Sequence, residues 1–243
     1  MKLLAFDTST EVMSIAVAHG AQLWQHTGAG GAQASSTLIP AIQALMVQAG
    51  LQLEQLDAIA FGRGPGSFTG LRTACSVAQG LAFGASARRL PGGGTSPEVK
   101  VLPVDTLLAV AEEARYQHGA TRVRALLDAR MDEMYLADYE FESNLWRPDG
   151  EFSLIRPENL QARPDWALAG NVFAAYGARL AKQDMPRLEA LPTATAMLRL
   201  APSLIAAGHA VAADQALPLY IRDKVAKTTD ERAAERAALS PTI

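Results

Sequence analysis

The sequence predicts an α/β protein that contains a duplicated unit. Short apolar runs alternate with helical segments over most of the 243 residues, and 49% hydrophobic content is ample for a packed core. Two of these runs, 3–7 and 125–128, match in outline. Each ends in an aspartate, Asp7 or Asp128, and continues through a polar turn into a second strand. This match predicts an internal repeat with an aspartate at the tip of each first hairpin.

The first half begins with a buried strand and contains three helices. Strands are predicted at 3–6, 12–18, 23–27, 56–61 and 99–104, and helices at 36–49, 67–83 and 106–117. Ser35 or Ser36 is expected to cap the first helix, with Pro40 in its first turn. The stretch 86–98 contains Gly92, Gly93 and Gly94 and is predicted to be an exposed loop.

The second half repeats the strand, polar turn and strand order. Strands are predicted at 123–127, 134–139, 151–155 and 166–169, helices at 157–161, 172–182 and 193–207, and an extended segment at 217–221. From Lys224 the chain is charged and rich in alanine, which predicts a frayed helix or a disordered tail.

The most informative segment is the glycine-rich run 62–72, Gly-Arg-Gly-Pro-Gly-Ser-Phe-Thr-Gly-Leu-Arg. It follows a strand and leads into a helix that Ser67 is expected to cap. A strand, a glycine turn and a helix N-terminus together resemble a phosphate cradle. The run lacks the lysine of a Walker A loop and the spacing of a dinucleotide fingerprint. A turn that only directs the helix and a turn that binds an anion both remain open.

The helix after this run has a seam of small residues. Gly70, Ala74 and Ala78 recur every four positions and would let another backbone approach closely. Interior glycines cost roughly 1 kcal/mol each relative to alanine, so close packing should offset that cost. The seam could pack inside its own domain or against a partner.

Composition and the rarer residues exclude several functions. A formal charge of −3 gives no electrostatic footprint for autonomous nucleic-acid binding. The single Cys75 is expected to be a buried small side chain, and the four histidines have no partner at helical metal-ligand spacing. The sequence therefore predicts no catalytic residues and no metal site. No secretion signal or membrane span is apparent, so a cytoplasmic location is expected.

Four stretches resemble the TsaB (YeaZ-like) family: 4–10, the glycine-rich run 62–72, 128–131 with Glu133 and Tyr135, and 220–222. The resemblance extends from residue 1 to about 225. It implies the α/β actin-like, sugar-kinase-like (ASKHA) ATPase fold, in which two duplicated lobes, here 1–104 and 105–225, have mixed β-sheets flanked by helices and surround a cleft. A late helix would pack back on the first lobe, and 226–243 would form a charged tail.

The resemblance implies a non-catalytic subunit in the synthesis of threonylcarbamoyladenosine (t6A) on tRNA. Such a chain binds and activates a TsaD-type transferase, which modifies adenosine 37 of tRNAs reading ANN codons. A TsaE-type ATPase docks on the heterodimer, and a TsaC-type enzyme supplies the threonylcarbamoyl intermediate. Contact with tRNA would come mainly through the complex, and the isolated chain could form a homodimer. An autonomous ATP-dependent small-molecule kinase of the same fold is the alternative.

The resemblance also assigns residues to two sites. The partner interface would use the first and second helices, and its expected residues are Leu38, Ile42, Leu45, Gly70, Arg72, Ala74, Val77 and Ala78. A vestigial nucleotide or phosphate site would use Asp7, Thr8, Ser9, Asp128 and Gly170. Asp7 and Asp128 could instead cap turns, and Val172 is expected to crowd a nucleotide. No cofactor is required, although weak or vestigial binding of ATP or ADP stays open.

Overall fold

The computed structural model describes residues 1–86, 98–180 and 185–222. Its strands are β1 (Lys2–Asp7), β2 (Val12–His19), β3 (Gln22–Ala29), β4 (Ala58–Gly64), β5 (Lys100–Asp105), β6 (Arg122–Arg130), β7 (Glu133–Glu142), β8 (Leu145–Pro148), β9 (Ser153–Ile155), β10 (Ala167–Gly170) and β11 (Arg187–Glu189). Its α-helices are α1 (Ala34–Gln48), α2 (Phe68–Ser86), α3 (Thr106–His118), α4 (Phe173–Tyr176) and α5 (Ala194–Ala206). Short 3-10 helices occupy Gly31–Gln33, Leu53–Gln55, Pro157–Asn159 and Ala213–Gln215.

Two sheets with the same topology confirm the predicted α/β repeat. The first sheet has the order β3-β2-β1-β4-β5, in which β1 pairs antiparallel with β2 and parallel with β4. The second has the order β11-β10-β6-β7-β8, with β6 antiparallel to β7 and parallel to β10. Strand β9 adds a further pairing to β7. Each sheet thus begins with a hairpin and adds parallel strands on the far side of its first strand.

The strand β1 is buried on both faces, which explains its continuous apolar sequence. Leu4 and Phe6 belong to a core with α1 and α2, whereas Leu3 and Ala5 belong to a second core with α3 and α5. This alternation follows from the two-residue period of a strand. Helix α5 contacts β1 and β2 of the first sheet, and α3 contacts β6 of the second. The two helices also contact each other and so connect the lobes.

Several local predictions at the helix ends were wrong. Helix α1 starts at Ala34, so Pro40 lies in its second turn. Neither Ser35 nor Ser36 caps it, because their hydroxyls donate to the carbonyls of Ala32 and Gln33, at 2.9 Å in both cases. The helix predicted at 172–182 is a single turn, α4, and the end of that prediction lies outside the described residues.

Other predicted segments fall partly or wholly outside the described residues. These are the interior of the 86–98 loop and the tail from Lys224 onward. Strands β8 and β11 were not predicted, and both are short. Within the described part of the chain, no helix is long and apolar enough to cross a membrane.

Candidate functional site

The glycine-rich run is a packing surface for the turn after β1. A Cβ atom built on Gly62 would lie 1.8 Å from Asp7 Oδ2, and one on Gly70 would lie 1.8 Å from the carbonyl oxygen of Thr8. A Cβ atom on Gly66 would lie 2.6 Å from Ser9 Cβ. Glycine alone permits such close approach of one backbone segment to another. The three glycines thus cover three consecutive residues of the turn after β1.

This packing seals Asp7 and Thr8 from the solvent. The Ser9 amide donates to Asp7 Oδ1 at 2.8 Å and the Ser9 hydroxyl at 2.6 Å, which is the geometry that the turn-capping interpretation predicts. The Thr8 hydroxyl donates to the carbonyl of Gly70 at 2.7 Å. Both Asp7 and Thr8 are 0% exposed. Both side chains are enclosed by the fold, and their contact with a nucleotide stays a prediction.

Burial also changes the titration of Asp7. Desolvation raises its pKa from 3.8 to about 6, against the opposing hydrogen bonds from Ser9. Its second oxygen, Oδ2, has no hydrogen-bond partner among the described residues. The folded pKa is above the unfolded one, so this carboxyl group favours folding most below about pH 4. That contribution is lost as the pH rises through 6.

We therefore expect Asp7→Asn to stabilise the protein at pH 7.5. The rise in the pKa of Asp7 from 3.8 to about 6 corresponds to about 3 kcal/mol of folding free energy at this pH. In the variant, the unpaired amide donor of asparagine would offset about 1 kcal/mol of that gain. Urea unfolding should show a gain of about 2 kcal/mol at pH 7.5 and little or none at pH 4. The exposed Asp214→Asn serves as the matched control and should have no effect at either pH. A loss of stability at pH 7.5 would contradict a buried, charged Asp7.

The second hairpin, between β6 and β7, places Asp128 at the corresponding position. Asp128 Oδ1 accepts hydrogen bonds from the Arg130 amide and the Tyr176 hydroxyl, both at 2.8 Å. Burial, followed by the bond to Asp128, raises the pKa of Tyr176 to about 12. The Asn171 side chain accepts from the Asp128 amide at 3.0 Å. Asp128 is thus held by turn and tertiary hydrogen bonds.

The tip of this hairpin has an unusual backbone. Arg130, Met131 and Asp132 have φ values of 62°, 57° and 61°, a left-handed conformation that is costly outside glycine. The Arg222 side chain holds the tip, because it donates to Glu133 Oε2 at 2.6 Å and contacts Met131 Sδ at 3.0 Å. This hairpin and 220–222 are two of the four stretches that carry the family resemblance, and the structure brings them together.

The two hairpin turns face each other across a cleft of about 440 Å³. Ser9 lines it from the first lobe, Asp128 and Asn171 line it from the second, and an ion pair between Arg130 and Glu11 crosses it. Gly170 is buried, and a Cβ atom at this position would lie 1.8 Å from the Leu126 carbonyl oxygen.

The expectation that Val172 crowds a nucleotide was wrong. Val172 is fully buried, packs in the core with Leu126 and does not line the cleft. Of the residues expected to bind a nucleotide, only Ser9 and Asp128 reach the cleft. Nucleotide binding there stays a prediction.

Histidine, cysteine and acidic side chains do not assemble into a metal centre within the three described segments. No group of three or more lies close enough to hold an ion. His19 contacts the Ala49 carbonyl oxygen through Nδ1 at 3.2 Å, and Cys75 is buried with its thiol 3.3 Å from the Ala216 carbonyl oxygen. These contacts are structural.

Most of the expected partner interface lies inside the first lobe. Ala74 and Ala78 are 0% exposed and Gly70 is buried, because the seam packs on the sheet and on the turn after β1. On α1, the corresponding residues are buried in the same core: Leu38, Ile42 and Leu45. All six are buried in the isolated chain, so their assignment to the partner interface gains no support from this fold and stays a prediction.

The opposite side of α2 carries a second series of small residues. Ser76, Gly80 and Gly84 are exposed at the same four-residue spacing, and a Cβ atom on either glycine would meet no atom of the residues that the structure describes within 4 Å. Phe83 beside them is 71% exposed. The sequence shows the same spacing for this series and for the series of Gly70, Ala74 and Ala78, so the spacing alone could not tell which series faces the sheet.

The remaining interface residues lie at the edges of this face. Arg72 is exposed and stacks over the Phe68 ring at 3.9 Å, while its Nε donates to the Tyr220 hydroxyl at 3.0 Å. Val77 is half-buried against the core. On α1, Ile39 and Val47 are 42% and 79% exposed. Together these residues form what we call the outer face of α1 and α2: Ile39, Val47, Arg72, Ser76, Val77, Gly80, Phe83 and Gly84.

Comparison with known proteins identifies relatives of this architecture. The duplicated lobes around a cleft define an α/β protein of the actin-like ATPase type. The family model described as "TsaD: tRNA N6-adenosine threonylcarbamoyltransferase" matches residues 29–238. A solved structure, "YeaZ from Pseudomonas aeruginosa", is 39% identical with a TM-score of 0.79, covering 90% of this chain and 99% of that one.

Two bacterial relatives share one name. The "tRNA threonylcarbamoyladenosine biosynthesis protein TsaB" of Escherichia coli is 34% identical, covering 93% of this chain and 96% of the relative. The protein of that name from Haemophilus influenzae is also 34% identical, with coverage of 93% and 95%. The chain belongs to the TsaB (YeaZ-like) family, as its sequence motifs predicted.

Proposed function

We propose that this chain takes part in t6A biosynthesis as the non-catalytic subunit that binds and activates a TsaD-type transferase. The names of its relatives support the pathway, and the outer face of α1 and α2 supports the role. The observation that supports this role most strongly is that Gly80 and Gly84 are both exposed although they lie inside a 19-residue helix.

The described residues give no reason for these glycines. None of them has an atom within 4 Å of a Cβ atom at either position, so alanine would fit both. Each glycine costs the helix about 1 kcal/mol relative to alanine. Close approach of another helix explains why this cost is borne, because only small residues allow two helix backbones to pack tightly.

Exposed apolar side chains on the same two helices fit this role. Phe83 and Val47 are each more than two-thirds exposed, and Ile39 is 42% exposed. Exposed apolar clusters of this kind mark interaction surfaces, and aromatic residues and arginine dominate their binding energy. Arg72 and Phe68 at the start of α2 extend the surface with such groups. In isolation the same face could pair two copies of this chain.

The proposal assigns the chemistry to the partner. The sequence has four histidines, at 19, 26, 118 and 209, and none has a second histidine three or four residues away. A TsaE-type ATPase would dock on the heterodimer, a TsaC-type enzyme would supply the threonylcarbamoyl intermediate, and tRNA would be held mainly through the complex in the cytoplasm. The kinase alternative gains no support from Asp7, whose carboxyl group is sealed beneath Gly62.

A reconstitution with one component omitted tests the proposal. The cognate TsaD-, TsaC- and TsaE-type proteins, ATP, threonine, bicarbonate and unmodified tRNA are combined with and without this chain. We expect t6A only when the chain is present, as measured by mass spectrometry of digested tRNA. Equal product without the chain would refute the proposed role.

A further inference from the structure

Strand β3 forms one outer edge of the first sheet, and no described residue pairs with its free side. His19 of β2 and Gln22 of β3 face each other across a two-residue turn, which makes them a hydrogen-bonded pair. Hydrogen-bonded positions alternate along an antiparallel strand. The N–H and C=O groups of Leu23, Gln25 and Thr27 therefore point away from β2 and are free to pair with a further strand.

The other edges of the two sheets are protected. In β5, Val101 exchanges backbone hydrogen bonds of 2.9 and 2.8 Å with Val211, so a later segment of the chain covers that edge. In the second sheet, β9 and β11 have three residues each, and β8 has four and ends in Pro148. Short strands, proline and covering segments are common means of preventing an edge from pairing with another chain.

Strand β3 has none of these protections. It is eight residues long, contains no proline and no Lys, Arg, Asp or Glu, and pairs with β2 in an unbroken register. All of its residues except Trp24 and Gly28 are exposed, and Leu23 is 52% exposed. A long, uncharged and exposed edge is a template for the addition of a β-strand.

The sequence of β3 is complementary to itself in the antiparallel direction. When two copies pair about a twofold axis at Gln25, Leu23 of each copy lies opposite Thr27 of the other, and the outward-pointing backbone groups meet. On the other face of the sheet, Trp24 would lie opposite His26. Cross-strand contacts of apolar and aromatic side chains stabilise such pairs, and identical strands without charged side chains do not repel each other.

We propose that β3 is the pairing site for a second copy of this chain, so that the first sheets of the two copies join into one. None of its residues belongs to the outer face of α1 and α2, and the inference does not depend on the proposed function. Contact through one strand is smaller than the roughly 1,200–2,000 Å² of a stable interface. We therefore expect a weak dimer with a dissociation constant of roughly 100 µM, which leaves the chain monomeric at micromolar concentration.

Sedimentation equilibrium of the full chain, from about 10 µM to about 1 mM, tests the proposal. We expect a monomer–dimer equilibrium. Gln25→Lys and Gln25→Glu should each weaken the dimer about fivefold, because two like charges then lie opposite each other at the twofold axis. An equimolar mixture of the two variants should form a dimer at least as tight as that of wild type, which misfolded variants would not do.

The matched control is Gln22→Lys, which adds the same charge to the same strand. In the proposed register it lies opposite Gly28 of the second copy, so dimerisation should equal that of wild type. NMR-detected amide exchange gives a second readout. The Gln25 and Thr27 amides should exchange rapidly in the dilute chain and become protected as the dimer forms.

Four results would each overturn the proposal. These are a chain that stays monomeric up to about 1 mM, a dimer unaffected by Gln25→Lys, and a dimer lost in Gly80→Arg but not in Gln25→Lys. The fourth is protection of the Gln25 and Thr27 amides in the dilute monomer, which would show that the chain itself covers this edge.

Discussion

Gly80→Arg is expected to abolish the complex with the TsaD-type subunit and to leave the isolated chain folded. Gly80 is exposed on α2, and no atom of a described residue lies within 4 Å of the position of its Cβ atom, so an arginine side chain can begin there without a clash and extend into the solvent. Arginine is also the better helix former by nearly 1 kcal/mol. In a tight helix–helix interface, a long charged side chain prevents close approach and loses hydration. We expect affinity to fall by about a hundredfold or more.

The control for this variant is Ala175→Arg. Ala175 is exposed on α4 in the second lobe, on a different element from the outer face of α1 and α2. It adds the same charge and should bind the transferase subunit as wild type does, measured by biolayer interferometry. Binding of Gly80→Arg within about threefold of wild type would show that the outer face of α2 is not the interface.

Ala74→Arg is expected to unfold the chain rather than only separate it from a partner. Ala74 is 0% exposed and faces the core of the first lobe, where an arginine would be buried without an acceptor and without room. Substitutions of this kind cost more than about 4 kcal/mol, a large share of the 5–15 kcal/mol that stabilises a typical domain. Circular dichroism should show a lowered melting temperature or loss of the folded state.

Ala74→Ser provides the comparison, because it changes little volume, and its melting temperature should stay within a few degrees of wild type. Gly80→Arg and Ala74→Arg thus distinguish the exposed face of α2 from its buried face. If Ala74→Arg melted like wild type but failed to bind the transferase subunit, the originally predicted seam of Gly70, Ala74 and Ala78 would be the interface after all.

The fold was predictable because its signals are local and repeated. Apolar runs that end in Asp7 and Asp128 identified the two first strands, and both stand at the centre of their sheets. The glycine-rich run was rightly expected to be a turn between a strand and a helix. The reason why this run needs glycine was not predictable. Gly62, Gly66 and Gly70 pack against a turn that lies more than fifty residues earlier in the chain.

Which side of α2 faces the core was not predictable, for a related reason. Two series of small residues run along α2 at the same spacing, and periodicity cannot tell which of them faces the sheet. Burial decides it, since the series with Ala74 lies in the core and the series with Gly80 lies in the solvent. Short elements were also missed, because β8 and β11 contain four and three residues and carry little pattern. Tertiary pairing at sheet edges defines such strands.

Sedimentation velocity on an equimolar mixture of this chain and the cognate TsaD-type subunit tests the central claim most directly. At micromolar concentration we predict one species with the combined mass of the two chains, which Gly80→Arg resolves into its separate components. Two independent species with the wild-type chain would contradict the claim that its outer face of α1 and α2 binds the transferase subunit.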